Sequence, residues 1–156
     1  MTNYWLFKSE PETFSIDHLS QRPKQTEHWD GVRNYKVRNM LRDQIKVGDQ
    51  AFFYHSSCIP PGVVGIMEIV KAGYPDFSAW NPESKYYDPK SSPENPRWFM
   101  VDVRLVKKFK NIITLQELKK HPALRKMQVT RRGNRLSITP VTKEEWKIIL
   151  SLEKSL

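Results

Sequence analysis

Short strands set between short helices predict an α+β domain built on a curved antiparallel or mixed sheet. Three observations carry this. Trp98 to Val106 alternates, with Phe99, Val101, Val103 and Leu105 on one face and Trp98, Met100, Asp102 and Arg104 on the other. Val63 to Val70 is apolar throughout except at Glu68, the pattern of a strand buried on both faces. Two capping boxes, Thr114 with Glu117 and Thr142 with Glu145, open helices late in the chain.

The remaining elements fall between these. Asn3 to Ser9 reads as a strand that stops at Glu10-Pro11. Ser15 caps a brief helical turn carrying Ile16 and Leu19. Asn34 is an N-cap for a helix through Asp43, with Val37, Met40 and Leu41 at core spacing and Arg38 and Arg42 sharing the opposite face. Val47-Gly48-Asp49 turns the chain into a strand from Gln50 to His55, which Pro60-Pro61-Gly62 ends. Five prolines lie between Pro75 and Pro96, but so do Trp80, Tyr86 and Tyr87, which marks an ordered long loop rather than a linker. The last helix continues through Trp146, Ile149 and Leu150.

At 156 residues the chain is one domain, residues 1–156, long enough to bury a substantial core. Its formal net charge is +9, and that charge is not spread evenly. From Arg97 to Arg135 there are twelve basic residues and two acidic ones, Asp102 and Glu117, while the rest of the chain is close to neutral. A single basic third is the footprint of a polyanion partner. An acidic membrane is disfavoured, because no basic amphipathic helix of useful length appears and no stretch approaches the length of a membrane span. The single cysteine, Cys58, excludes an internal disulfide, and His18, His28, His55 and His121 lack ligand spacing, so neither a metal nor a cofactor is expected. The opening residues carry no secretory pattern, so a cytoplasmic location is expected, or a nuclear one in a eukaryote. A monomer is expected.

The densest chemistry sits in His28-Trp29-Asp30-Gly31-Val32-Arg33-Asn34-Tyr35-Lys36-Val37-Arg38-Asn39. Its aromatics can stack on a flat ring, its asparagines can bond the ring's edge and its arginines can meet phosphate, which together suit a nucleobase. Asp30-Gly31 is a turn pair, so Trp29 is expected to project from a loop; the competing reading is a plug over one end of the core. Trp98, on the polar face of its strand, either lines a pocket with Trp29 or packs beneath the Pro-rich loop. Arg33 and Arg38 can contact phosphate or pair with Asp30 and Glu10. Arg131-Arg132-Gly133-Asn134-Arg135 forms a basic turn. Catalysis is not expected. His55-Ser56-Ser57-Cys58 has no nucleophile elbow, the six glycines form no phosphate loop, and nothing singles out a hydrolase built from His55, Asp30 and Ser9.

Five blocks give the chain a strong resemblance to the EVE domain family over about Asn3 to Leu152. They are Tyr4-Trp5-Leu6-Phe7-Lys8-Ser9-Glu10-Pro11, Trp29-Asp30-Gly31-Val32-Arg33-Asn34-Tyr35, Phe52-Phe53-Tyr54-His55-Ser56, Tyr86-Tyr87-Asp88-Pro89-Lys90 and Arg131-Arg132-Gly133-Asn134-Arg135-Leu136-Ser137. The resemblance implies a PUA-like fold, a small curved β-barrel with flanking helices. It also implies a reader that holds an extruded modified base, modified cytosine in DNA first, without reaction. The base pocket implied by the blocks takes Ser9, Trp29, Asn34, Tyr54, His55, Trp98, Arg132 and Asn134. Phosphate contacts would come from Arg33, Arg38, Arg42, Arg131 and Arg135. Where relatives often carry Gln-Ala, this chain has Lys36-Val37, and a lysine donates but cannot accept. The alternatives are an RNA-binding, RNA-processing or RNA-modifying factor of PUA-like type, and a nucleotide-binding regulatory module without a polymer partner.

Overall fold

The structure, a computed structural model, describes residues 2–155. Its centre is a six-stranded sheet of β1 (Tyr4–Ser9), β2 (Thr26–Trp29), β3 (Gln50–His55), β4 (Gly62–Pro75), β5 (Phe99–Thr114) and β6 (Ile138–Val141). The strand order is β2-β5-β4-β3-β1-β6. Only β1 and β3 run parallel, from Tyr4 opposite Gln50 to Ser9 opposite His55. The helices are α1 (Ile16–Ser20), α2 (Tyr35–Asn39), α3 (Leu115–Lys119) and α4 (Lys143–Ser155). None is long and apolar enough to cross a membrane.

Period-two alternation decides which core each side chain enters. In β1, Trp5 and Phe7 face an inner core while Leu6 faces an outer one; in β3, Ala51 and Phe53 face inward while Phe52 and Tyr54 face outward. Both strands are therefore buried on both sides, as the parallel pairing between them demands. The inner core also collects Trp29, Met67, Ile69, Val101, Val103 and Ile138, so all six strands contribute to it. The outer core is closed by α3 and α4. Trp146 of α4 stacks on Phe52, with ring centroids 3.9 Å apart, and on Tyr4 at 4.6 Å. The Thr142 box holds α4 in place: the Glu145 amide donates to Thr142 Oγ1 at 3.1 Å, and the Thr142 amide donates back to Glu145 Oε1 at 2.9 Å.

The β4–β5 hairpin is longer than the alternation predicts, because its register shifts four times between Val63 and Tyr74. Each shift breaks the period-two pattern and adds twist. At Gly65 the backbone of Lys107 and the Ile16 side chain come so close that a Cβ would collide with both. The accumulated curl carries β2, which hangs on β5, over the inner face of β1 and β3. There Trp29 meets Phe7 at 5.2 Å and Phe53 at 5.4 Å, both edge to face. The sheet nevertheless stays open. β2 and β6 are its two edges and are not neighbours, so the barrel implied by the resemblance is not closed. Both edge strands are only four residues long, and a cavity lies along the seam between them.

Two expectations for local structure need correction. Trp29 is not in a loop but is the last residue of β2, paired with Val101. The helix capped by Asn34, whose Oδ1 accepts from the Val37 amide at 3.1 Å, changes after Asn39 into a π-helical turn, Met40–Gln44.

Asp49 fastens the far end of the sheet. It is 2% exposed and accepts from the Asn3 amide (3.1 Å), Trp5 Nε1 (3.0 Å) and the Lys46 amide (3.0 Å). Replacing it with Ala strands three donors, one on a buried tryptophan, and should cost about 2–4 kcal/mol, with Asp49→Asn costing less. Urea denaturation checks this; equal stability of Asp49→Ala and the parent would refute it.

Candidate functional site

A cavity of about 590 Å³ opens along the seam between the sheet's edges. Its walls come from Lys8 and Ser9 at the end of β1, Glu27, His28 and Trp29 of β2, and Ser137 just before β6. Phe14 and Arg22 close one side; Asp30, Gly31, Arg33, Lys85 and Tyr86 form the other. The volume is that of a small-molecule pocket and leaves ample room for a nucleobase. A wider groove of about 910 Å³ lies at the opposite end of β1, but its aromatic Tyr4 is already stacked on Trp146.

Trp29 is at once wall and plug. It is 7% exposed, wedged edge to face among Phe7, Phe14 and Phe53, and presents its remaining surface to the cavity. Beyond it the backbone must turn sharply. Gly31 has φ +81, and a Cβ there would collide with the Tyr86 ring, so glycine alone fits. Asp76, fully buried, holds the turn: its carboxylate accepts from the Gly31 amide at 2.9 Å and from Arg33 Nη1 at 3.1 Å. Arg33 also donates to the Tyr86 carbonyl at 2.6 Å and lies over both the Tyr86 and Trp98 rings, 5.5 and 5.2 Å from their centroids. Thus the Pro-rich loop is ordered; Lys85 and Tyr86 from it line the cavity, and Asp76 is buried behind them.

Charge inside the cavity is mostly paired. Glu27 accepts from Arg22 Nε at 2.6 Å and contacts His28 Nδ1 at 2.9 Å. Lys8 has its pKa lowered by burial. Asp30 has its pKa raised, by burial first and by the Asp76 carboxylate second.

Of the residues expected to hold the base, the cavity takes Ser9 and Trp29, and of those expected on phosphate it takes Arg33. The others stand elsewhere. Trp98 is 5% exposed, stacks on Tyr35 at 4.9 Å and donates its indole N–H to Asp88 at 2.7 Å, so it packs beneath the Pro-rich loop one layer behind Arg33. A cage joining Trp29 and Trp98 is therefore not formed. Tyr54 faces the outer core, where burial pushes its phenol up to about 12. Asn34 is spent on its helix cap and Asn134 on Gln128, to which it donates at 2.8 Å. Arg132 is exposed with Arg131 and Arg135 on the basic turn, where Gly133 has φ +83. Arg38 donates to the Arg97 carbonyl at 3.0 Å and Arg42 pairs with Asp43 at 2.8 Å, which leaves both half-engaged. Lys36 is exposed on α2, outside the cavity walls. Asp30, His28, Lys85 and Tyr86 were not expected here. Asp30 and Tyr86 each lie in one of the five blocks and His28 opens the aromatic-rich stretch, so a signal existed for those three, while Lys85 had none.

His55 also serves the fold. Its Nε2 accepts the Ile16 amide at 3.1 Å, at the start of α1, which requires that nitrogen to be unprotonated. Burial lowers its pKa below the ordinary 6.5. The unfolded chain thus binds this proton more readily than the folded one, so the stabilisation is complete above pH 6.5 and is lost as pH falls below it. Melting temperatures between pH 8 and pH 5 should fall more in the parent than in His55→Gln, which keeps an acceptor but cannot titrate. Identical profiles would refute this.

With that geometry in place, the relatives are informative. Thymocyte nuclear protein 1 of mouse is 48% identical over 99% of this chain and 75% of that protein. A crystal structure of a Pseudomonas putida protein superposes with a TM-score of 0.91 at 45% identity, covering 96% of this chain and 99% of that one. Human THYN1 in complex with DNA containing 5-methylcytosine gives a TM-score of 0.91 at 47% identity and 98% coverage of both chains. The EVE domain family model matches residues 3–152, and the chain belongs to the EVE domain family.

Proposed function

We propose that this chain is a nucleic-acid-binding module that holds an extruded modified base in the cavity beside Trp29, with 5-methylcytosine in DNA as the leading ligand. The observation that carries the reading is the near-complete structural match to human THYN1 bound to 5-methylcytosine DNA. The cavity is compatible with it, offering one face of Trp29, the Tyr86 ring and unfilled polar groups in a space of about 590 Å³. Extruding a base costs a few kcal/mol, and one aromatic contact returns about 1–3 kcal/mol. A single stacking wall therefore roughly offsets extrusion, and net affinity must come from phosphate contacts. The exposed Arg131, Arg132 and Arg135, beside the seam that Ser137 lines, supply cations for that purpose. The protein acts as a monomer and without chemistry. Ser9 Oγ donates to the Phe14 carbonyl at 2.6 Å and His55 is committed to Ile16, so the most plausible nucleophile and base are both occupied. A cytoplasmic location, nuclear in a eukaryote, goes with this reading.

The direct test is binding to matched DNA and RNA oligonucleotides carrying cytosine, 5-methylcytosine or other modified bases at one position. Preference for 5-methylcytosine in DNA is expected. Preference confined to RNA would turn the reading toward the RNA-binding alternative, and cleavage of either strand would overturn the absence of chemistry. Within the same assay Trp29→Phe, which keeps most core packing, should weaken modified-base binding severalfold. Trp98→Phe should leave the preference intact, since that ring faces Tyr35 and not the cavity. The reverse pattern would move the pocket.

Changing Arg131, Arg132 and Arg135 together to Ala should weaken binding to every sequence alike. It should also lower the slope of log affinity against log salt by about one for each phosphate contact removed. An unaltered slope would return these residues to solvated surface.

A further inference from the structure

A pocket that reads 5-methylcytosine has a competitor that methyl recognition cannot reject. Thymine carries the same methyl group on the same ring carbon and is a normal base of DNA. The two differ at position 4, an amino donor in one and a carbonyl acceptor in the other, and at ring N3, an acceptor in one and an N–H donor in the other. An extra methyl discriminates weakly, whereas a site built to pair a polar group rejects its mismatch strongly. Selectivity thus requires a hydrogen-bond acceptor in the cavity, placed beside the stacking wall and not already occupied.

The carboxylates in and just behind the cavity walls, with the Ser9 hydroxyl, can be taken one by one. Glu27 is held by Arg22 and His28. Asp76 is filled by Gly31, Arg33 and Ser78. Glu10 is exposed at the rim, and Ser9 Oγ is turned to the Phe14 carbonyl. Asp30 is different. It follows Trp29 directly, its side chain is 31% exposed, and its nearest basic neighbour, His28 Nε2, stands 3.8 Å away, beyond hydrogen-bond reach. Among the described residues no other residue donates a hydrogen bond to its carboxylate, although it lines the cavity.

We infer that Asp30 is the specificity-determining residue of this cavity, its carboxyl group accepting the 4-amino N–H of a cytosine-type base and so excluding thymine. The inference rests on the modified-base reading above. A carboxylate is the natural partner of the cytosine amino group, and it meets the thymine 4-carbonyl lone pair to lone pair. Burial and the adjacent Asp76 raise the pKa of Asp30, which brings the acid form closer; that form donates to ring N3 while accepting from the amino group.

The test uses single-stranded DNA oligonucleotides identical except for one central 5-methylcytosine, cytosine or thymine, with binding followed by fluorescence anisotropy. The parent protein should favour 5-methylcytosine over thymine by about ten- to a hundredfold. Asp30→Ala should bring 5-methylcytosine down to the thymine level. Asp30→Asn should keep 5-methylcytosine within severalfold and raise thymine toward it, because a rotated amide donates to the 4-carbonyl and accepts from N3–H. A 5-methylpyrimidin-2-one nucleotide, which lacks the amino group, should bind the unaltered protein as poorly as thymine does; this arm does not depend on any variant folding. If Asp30→Ala still rejects thymine, or the unaltered protein binds the amino-free base as well as 5-methylcytosine, Asp30 is not the reader, though the proposed function stands. If the parent shows no preference for 5-methylcytosine over cytosine, the proposed function itself fails.

Discussion

The buried carboxylate of Asp76 is the interaction on which the cavity depends. It lies at the start of the Pro-rich loop, yet it accepts from the Gly31 amide and Arg33, more than forty residues earlier. Its own amide is fixed by the Trp98 carbonyl at 2.8 Å, and it caps the following 3-10 turn through the Ser78 amide. One acidic group thereby joins the turn after β2, the loop after β4 and the entry to β5. Removing this acceptor would strand the Gly31 amide and Arg33 together, so these three segments are held in one arrangement. The arginine is not held by charge alone: two aromatic faces and the Tyr86 carbonyl fix its plane, a geometry that a lysine could not reproduce.

The open sheet and the cavity share one cause. Successive register shifts coil the β4–β5 hairpin until β2 lies over β1, but the edges β2 and β6 stop short of pairing. A closed barrel would bury this seam. Here the gap is filled partly by Phe14 and Trp29, and what is left over is the cavity. The double burial of β1 and β3 makes the floor stiff, since Phe7 and Phe53 are locked between two cores and cannot yield when a ring is pressed against Trp29. Pre-formed walls lower the ordering cost of binding.

This division explains what the sequence could convey. β3 was legible to the residue and both late N-caps formed, because strand alternation and N-capping are local and strong. Only the Thr142 box is reciprocal, since the Glu117 carboxylate meets the Thr114 hydroxyl rather than its amide. The second half of β5 was not legible. Lys107, Lys108 and Lys110 are exposed while only Phe109 and Ile113 turn inward, and bulges had already shifted the phase. β2 was missed because Thr26-Glu27-His28-Trp29 offers one apolar residue, and only its pairing with β5 makes it a strand. Of the residues the family blocks name, Trp29, Ser9 and Arg33 line the cavity, but the blocks do not say which residues are consumed by structure. Tyr54 and Trp98 look equally available in one dimension. The first is turned outward by strand alternation, and the second is claimed by Asp88 and Tyr35.

Arginines divide by the same logic, and that division separates affinity from selectivity. Arg33, read as a phosphate ligand, is a structural member of the cavity wall, with 25% of its side chain exposed and three hydrogen bonds made within the chain. Its charge is cancelled by Asp76 and adds little to attraction of a polyanion. The arginines of the 131–135 turn make no such commitments and lie where the chain's excess charge is concentrated. A nucleic-acid backbone held there, as proposed above, would be bound through counterion release, which is indifferent to sequence. The cavity can then be nearly neutral and small in net binding energy while still deciding which base is retained. On the function proposed above, attraction would come from the exposed cations outside it and discrimination from the fixed, partly buried groups within it. Strengthening the first would speed capture of any strand and dilute the second, which is a physical reason for the two sets to occupy separate parts of one chain.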